Sequence, residues 1–119
     1  MSDFKNTWET YTSAWKAETA QQKLEIFKQC LATDATYTDP LVVTKGWDEL
    51  TEYMLEFHQQ IPGGYFDTHY FLAHHDKSIA KWDMKTGDGT KIGEGISYGH
   101  YNADDKLIAM TGFYETEQG

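Results

Sequence analysis

Phe4, Trp8, Tyr11 and Trp15 recur at steps of four, three and four, which lays one aromatic stripe along a helix that Ser2 or Asp3 can cap. The same spacing returns after Thr19, a second cap, in Ala20, Leu24, Phe27 and Leu31 with Cys30 alongside, until Thr33-Asp34 interrupts it. These two helices form a hairpin. A third helix is predicted from Asp48, its cap, to Gln60. Leu50, Met54, Phe57 and Ile61 hold the period there, and Pro62-Gly63-Gly64 stops it.

Between the second and third helices, Thr36 to Val43 is rich in β-branched and aromatic residues, while Pro40 removes one donor from any ladder. This predicts a short edge strand. From Tyr65 onward the helical period is lost. Strands are predicted near Phe66 to His74, Ile79 to Lys85, Lys91 to Tyr101 and Leu107 to Glu115, separated by turns such as Thr86-Gly87-Asp88-Gly89. Helices followed by a meander imply an α+β layer architecture, with the helices covering one face of the sheet. Gly93, Gly95 and Gly99 in the longest strand allow strong curvature or close approach of a neighbour, and hence a bent sheet with a hollow.

A chain of 119 residues fits one domain spanning 1–119. With 15% aromatic residues it can fill a core and still line a cavity. A formal charge of -9 without clustered lysines argues against a nucleic-acid partner. No run resembles a secretory leader or a membrane span, so a cytoplasmic protein without a membrane partner is expected. Cys30 is the only cysteine and falls in the apolar phase of a helix, which predicts a core residue.

The element order, with Thr33-Asp34-Ala35-Thr36-Tyr37-Thr38-Asp39-Pro40, then Gly46, and the ending Asn102-Ala103-Asp104-Asp105-Lys106-Leu107-Ile108-Ala109-Met110, resembles the SnoaL-like and ketosteroid isomerase branches of the nuclear transport factor 2-like superfamily. The resemblance spans nearly the whole chain. It implies a cone-shaped, curved antiparallel sheet covered by three N-terminal helices, and homodimers formed through the sheet face. It is specific for fold and weak for activity, because one fold hosts many chemistries.

In ketosteroid isomerases the general base is the Asp immediately before Pro in the segment matched here by Tyr37-Thr38-Asp39-Pro40, so the resemblance makes Asp39 the leading catalytic candidate. It offers Tyr11 as the helix-borne oxyanion donor if a short insertion lies between Ala17 and Gln21. Trp15 takes that position without one. Ser97 falls where the second donor, an acid, is expected. A serine hydroxyl shares less charge with a developing enolate, so this departure weakens an isomerase or cyclase reading.

Beside an apolar cavity the charged form of Asp39 would be destabilised, suiting it to proton transfer. The plainer alternative is that Asp39-Pro40 turns the chain and caps backbone amides. Trp15, Tyr37, Met54 and Phe57 are candidate ligand-lining residues, and packing alone explains such stripes equally well. Trp82 and Met84 share one strand face, and Met110, Gly112 and Tyr114 share another that faces the hollow in the family's arrangement.

His74-His75-Asp76, with His69 and His100, invites a metal, yet adjacent strand residues point to opposite faces, so no metal site is expected unless the turn reorients them. No phosphate loop or nucleophile elbow is present, so no cofactor is expected. The ligand implied is a small apolar or aromatic molecule, handled either by cofactor-free acid–base chemistry at Asp39 or by a binding module without turnover.

Overall fold

The computed structural model describes residues 3–115. Its elements are α1 (Phe4–Lys16), α2 (Ala20–Cys30), β1 (Leu31–Asp39), β2 (Val42–Lys45), α3 (Trp47–Gln60), β3 (Tyr65–His74), β4 (Lys77–Lys85), β5 (Lys91–Tyr101) and β6 (Leu107–Phe113). Three helices thus precede a long meander.

Asp3 caps α1, its carboxylate accepting the Asn6 N–H at 3.0 Å. Ser2, the alternative cap, lies outside the described residues. Thr19 and Gln22 close a reciprocal capping box at the start of α2. The predicted Asp48 cap is corrected. Gly46 takes the cap position at a φ of 84° and offers no side chain, while Asp48 stands in the first turn, where its charge complements the helix dipole. The apolar stripe of α2 also ends one residue early, because Leu31 is extended and opens β1.

The expected edge strand over 36–43 is two strands. Pro40 sits in the turn of a tight hairpin, so its missing N–H costs no ladder bond. The single sheet has the order β2-β1-β6-β5-β4-β3, which puts β2 at the edge and β1 inside. All pairs are antiparallel except β1 with β6, which run parallel through Tyr37↔Met110 and Thr38↔Thr111. The last strand therefore returns beside the first, and β1 carries Tyr37 and Asp39 onto the covered face.

The core lies between that face and the helices. Trp8, Tyr11, Ala14 and Trp15 of α1 meet Phe27 and Cys30 of α2, Leu50 and Met54 of α3, and Ala80, Tyr101, Leu107 and Met110 of the sheet. Two glycines of β5 make this packing possible. A Cβ at Gly99 would stand 3.3 Å from the Trp8 ring, and one at Gly95 would stand 2.5 Å from the Trp82 ring. No helix among the described residues is long and apolar enough to cross a membrane.

Candidate functional site

Asp39 ends β1, and the turn that follows folds back on its carboxylate. Oδ1 accepts the N–H groups of Leu41 at 2.8 Å and Val42 at 3.1 Å. Oδ2 accepts the hydroxyls of Tyr37 and Tyr53, each at 2.8 Å. Tyr37 reaches it because residues two apart on a strand share a face, and Tyr53 descends from α3. The hydroxyl of Tyr114, just past β6, also interacts with Tyr53 and Asp39. Four donors converge on a side chain only 8% exposed, an arrangement that calls for an acceptor-only, ionised carboxylate. Oδ1 thus caps backbone amides, as the plainer alternative has it, while Oδ2 is met by hydroxyl donors.

The phenols keep their protons. Burial, reinforced by Tyr11 and the Asp39 charge, pushes Tyr37 far above the ordinary phenol range. Burial and the hydrogen bond to Asp39 do the same for Tyr53, and burial with the Asp39 charge raises Tyr114.

Around this polar point the walls are aromatic. The Trp15 ring lies 5.5 Å from Tyr37, 5.6 Å from Phe57 and 5.2 Å from Phe66. Phe66 stacks on Phe57 and meets Trp82 edge-on at 4.9 Å. Trp15, Tyr37, Asp39, Tyr53, Phe57 and Trp82 border a cavity of ≈ 870 Å³ that also takes in Met84 and Tyr114. Lys81 and Ile96 border it too, although they alternate with the inward Trp82 and Gly95 and are exposed. Part of that volume therefore lies around the rim, outside the hollow.

Two further predicted catalytic residues stand elsewhere. Tyr11 is buried in the core, its hydroxyl accepting the Trp15 indole N–H at 3.0 Å, and it does not border the cavity. Ser97 is also set back, with Oγ accepting the Trp82 indole N–H at 2.8 Å. Met54 and Met110 are buried in the core and are not among the residues bordering the cavity.

Sequence reasoning missed Tyr53 and Phe66. Tyr53 had a signal: it stands three residues after Leu50 and four before Phe57, on the edge of the apolar stripe. A second missed group is Lys23, fully buried between the helices. Its ammonium donates to the carbonyls of Ala14 at 2.8 Å and Ala17 at 2.6 Å and lies 3.1 Å from His58 Nε2. Burial lowers Lys23 to about 8.

The β3–β4 turn does reorient the paired histidines. His75 adopts a φ of 53°, and the Nδ1 atoms of His74 and His75 lie 3.0 Å apart. Even so, no group of three or more His, Cys, Asp or Glu among the described residues could hold a metal. Cys30 is buried, and burial raises its thiol to about 12.

The SnoaL-like domain family matches residues 9–110. Among solved structures, a SnoaL-like family protein from Agrobacterium tumefaciens, provisionally assigned as an isomerase, is similar with a TM-score of 0.84 at 21% identity, covering 93% of this chain and 96% of that one. A protein from Sinorhizobium meliloti, provisionally assigned as a polyketide cyclase, gives 0.72 at 10% identity over 90% and 93%. A SnoaL-like protein of unknown function from Burkholderia thailandensis gives 0.73 at 16% identity over 94% of each chain. Identities this low show a shared fold alone. Among curated proteins no sequence matches this chain.

Proposed function

Starting from the fact that the chain belongs to the SnoaL-like family, we propose that it binds a small, largely apolar or aromatic molecule in the cavity between helices and sheet, with Asp39 at the polar end. The observation that carries this reading is one buried carboxylate beside the aromatic walls of the hollow. Sites for small molecules combine apolar walls with a few fixed polar groups in this way.

The enzymatic form of the proposal is cofactor-free isomerisation or cyclisation, with Asp39 taking a proton from a carbon acid and returning it. The provisional assignments of the two bacterial neighbours support that class. Tyr37 and Tyr53 would shed or restore their hydrogen bonds as the carboxylate changes charge. Tyr11 and Ser97 act, on this reading, through the indoles of Trp15 and Trp82. Enolisable ketones offered to wild type and Asp39→Asn test the mechanism. Turnover that the variant loses is expected, and equal rates in both would remove it.

The four hydrogen bonds of Asp39 favour a second reading, a binding module without turnover, because the carboxylate already has a structural task in the β1–β2 turn. The outer sheet face fits a second copy of the chain. Tyr70, Leu72, Ile79, Ile96 and Phe113 are exposed there across four neighbouring strands. Sedimentation should report a dimer that Ile96→Lys dissociates, and a monomeric wild type would dismiss it.

A further inference from the structure

Around Asp39 the cavity's hydrogen-bonding polarity is one-sided, although the exposed Gln60, His69 and Lys81 also border it. Tyr37 and Tyr53 spend their hydroxyl protons on Asp39, and the indoles of Trp15 and Trp82 spend theirs on Tyr11 and Ser97. What these tyrosines still present is oxygen lone pairs, enriched because each hydroxyl donates to a carboxylate.

The charge is one-sided too. Buried carboxylates are ordinarily paired with a cation, yet among the described residues Asp39 belongs to no ion pair. The chain contains no arginine at all. Lys23 is tied to helix carbonyls, and Lys81, at the rim, lies over the Tyr70 ring on the outer face. Glu56, Glu94 and Glu115 add negative charge around the opening. At the Asp39 end a carboxylate or phosphate ligand would meet lone pairs and a carboxylate, without the guanidinium that recognises such anions. A cation would meet a carboxylate and electron-rich ring faces.

We propose that the ligand of this cavity carries a protonated amine or another organic cation on an apolar or aromatic body, with the cation held by Asp39, the oxygens of Tyr37 and Tyr53, and the surrounding aromatic rings. This rests on the reading of the cavity as a ligand site and names the class of molecule it selects. The match is electrostatic on the polar end and hydrophobic along the walls.

Three probes of one shape and different charge test it: phenethylammonium, phenethyl alcohol and phenylacetate, titrated at neutral pH and low salt by calorimetry and by quenching of Trp15 and Trp82. The ammonium should bind about tenfold more tightly than the alcohol, and phenylacetate weakest. Asp39→Asn should erase the ammonium's advantage over the alcohol. Should that variant fail to fold, Tyr53→Phe should weaken the ammonium selectively. An alcohol that matches the ammonium, or an anion that exceeds it, overturns the inference and leaves the cavity standing as a ligand site. Binding of none of the three at millimolar concentration removes the ligand-site reading and this inference with it.

Discussion

Replacing Asp39 by Asn tests the four-donor geometry, because the shape is conserved and only the charge and one acceptor are lost. The two turn amides cannot rotate, so the amide oxygen of Asn must remain opposite Leu41 and Val42, at 2.8 and 3.1 Å in the wild type. The NH₂ group is then forced toward two hydroxyls that both donate at 2.8 Å. Each tyrosine must turn its proton away and become an acceptor. A hydrogen bond to a charged group contributes about 1.5–3 kcal/mol and a neutral one about 0.5–1.5 kcal/mol, so two exchanges cost roughly 2–3 kcal/mol. Relief of burying a charge works in the opposite direction, but the protein's own donors already solvate that charge, so the loss wins. In urea unfolding followed by tryptophan fluorescence, the midpoint should fall by roughly 1 M at unchanged slope. Asp39→Ala should fall further, since it also strands the turn amides. A midpoint for Asn within experimental error of wild type would refute the reasoning, because the hydroxyls would then not be held by a carboxylate charge.

Gly95→Ala should lose about 1–3 kcal/mol by overpacking, since its Cβ would stand 2.5 Å from the Trp82 ring and 2.6 Å from the carbonyl oxygen of Phe113. Gly93→Ala, facing only the Met84 side chain and nearest its flexible end at 3.2 Å, should lose less, and equal losses in urea unfolding would contradict that contrast. Alkaline pH should destabilise the fold. Burial raises Cys30 from 9.0 and Tyr101 from 10.0 to about 12 each, and Tyr11, Tyr37 and Tyr53 rise as well, so the unfolded chain releases protons that the folded one keeps. That stability is complete below 9.0 and is lost as pH climbs toward 12. Lys23, lowered from 10.5 to about 8, opposes the trend only between those values. Urea midpoints that keep rising beyond 10.5 would show that the sign is wrong.

The helices and the meander were legible because each has a period that survives in one dimension. The aromatic stripe of α1 and the stop at Pro62-Gly63-Gly64 need no partner to be recognised. The β1–β2 hairpin was not legible. Thr36 to Val43 has strand composition throughout, and Pro40 reads equally well as an edge position or as a turn. The parallel pairing of β1 with β6 depends on a contact between residues such as Tyr37 and Met110, which no local pattern encodes. Lys23 stood in the apolar phase between Ala20 and Phe27, a signal that a buried cation has to find acceptors. Those acceptors, the carbonyls of Ala14 in α1 and of Ala17 just past it and His58 of α3, lie outside its own helix.

For the candidate site, sequence pattern reached the residue types and stopped short of their polarity. Asp39 before Pro40 is compatible with a turn cap and with a carboxylate facing a cavity; in the structure one oxygen accepts the turn amides, the other accepts the Tyr37 and Tyr53 hydroxyls, and the residue borders the cavity. What decides the chemistry is where the tyrosine protons go. If Tyr37 and Tyr53 donated into the hollow, the site would stabilise negative charge developing on a ligand oxygen. Because both donate to Asp39, the hollow instead offers acceptors and a carboxylate without a cationic partner among the described residues. The two arrangements differ by the rotation of two hydroxyls, which the neighbouring carboxylate fixes. On the proposed reading, a single charge at the end of β1 therefore sets which sign of ligand its end of the cavity favours.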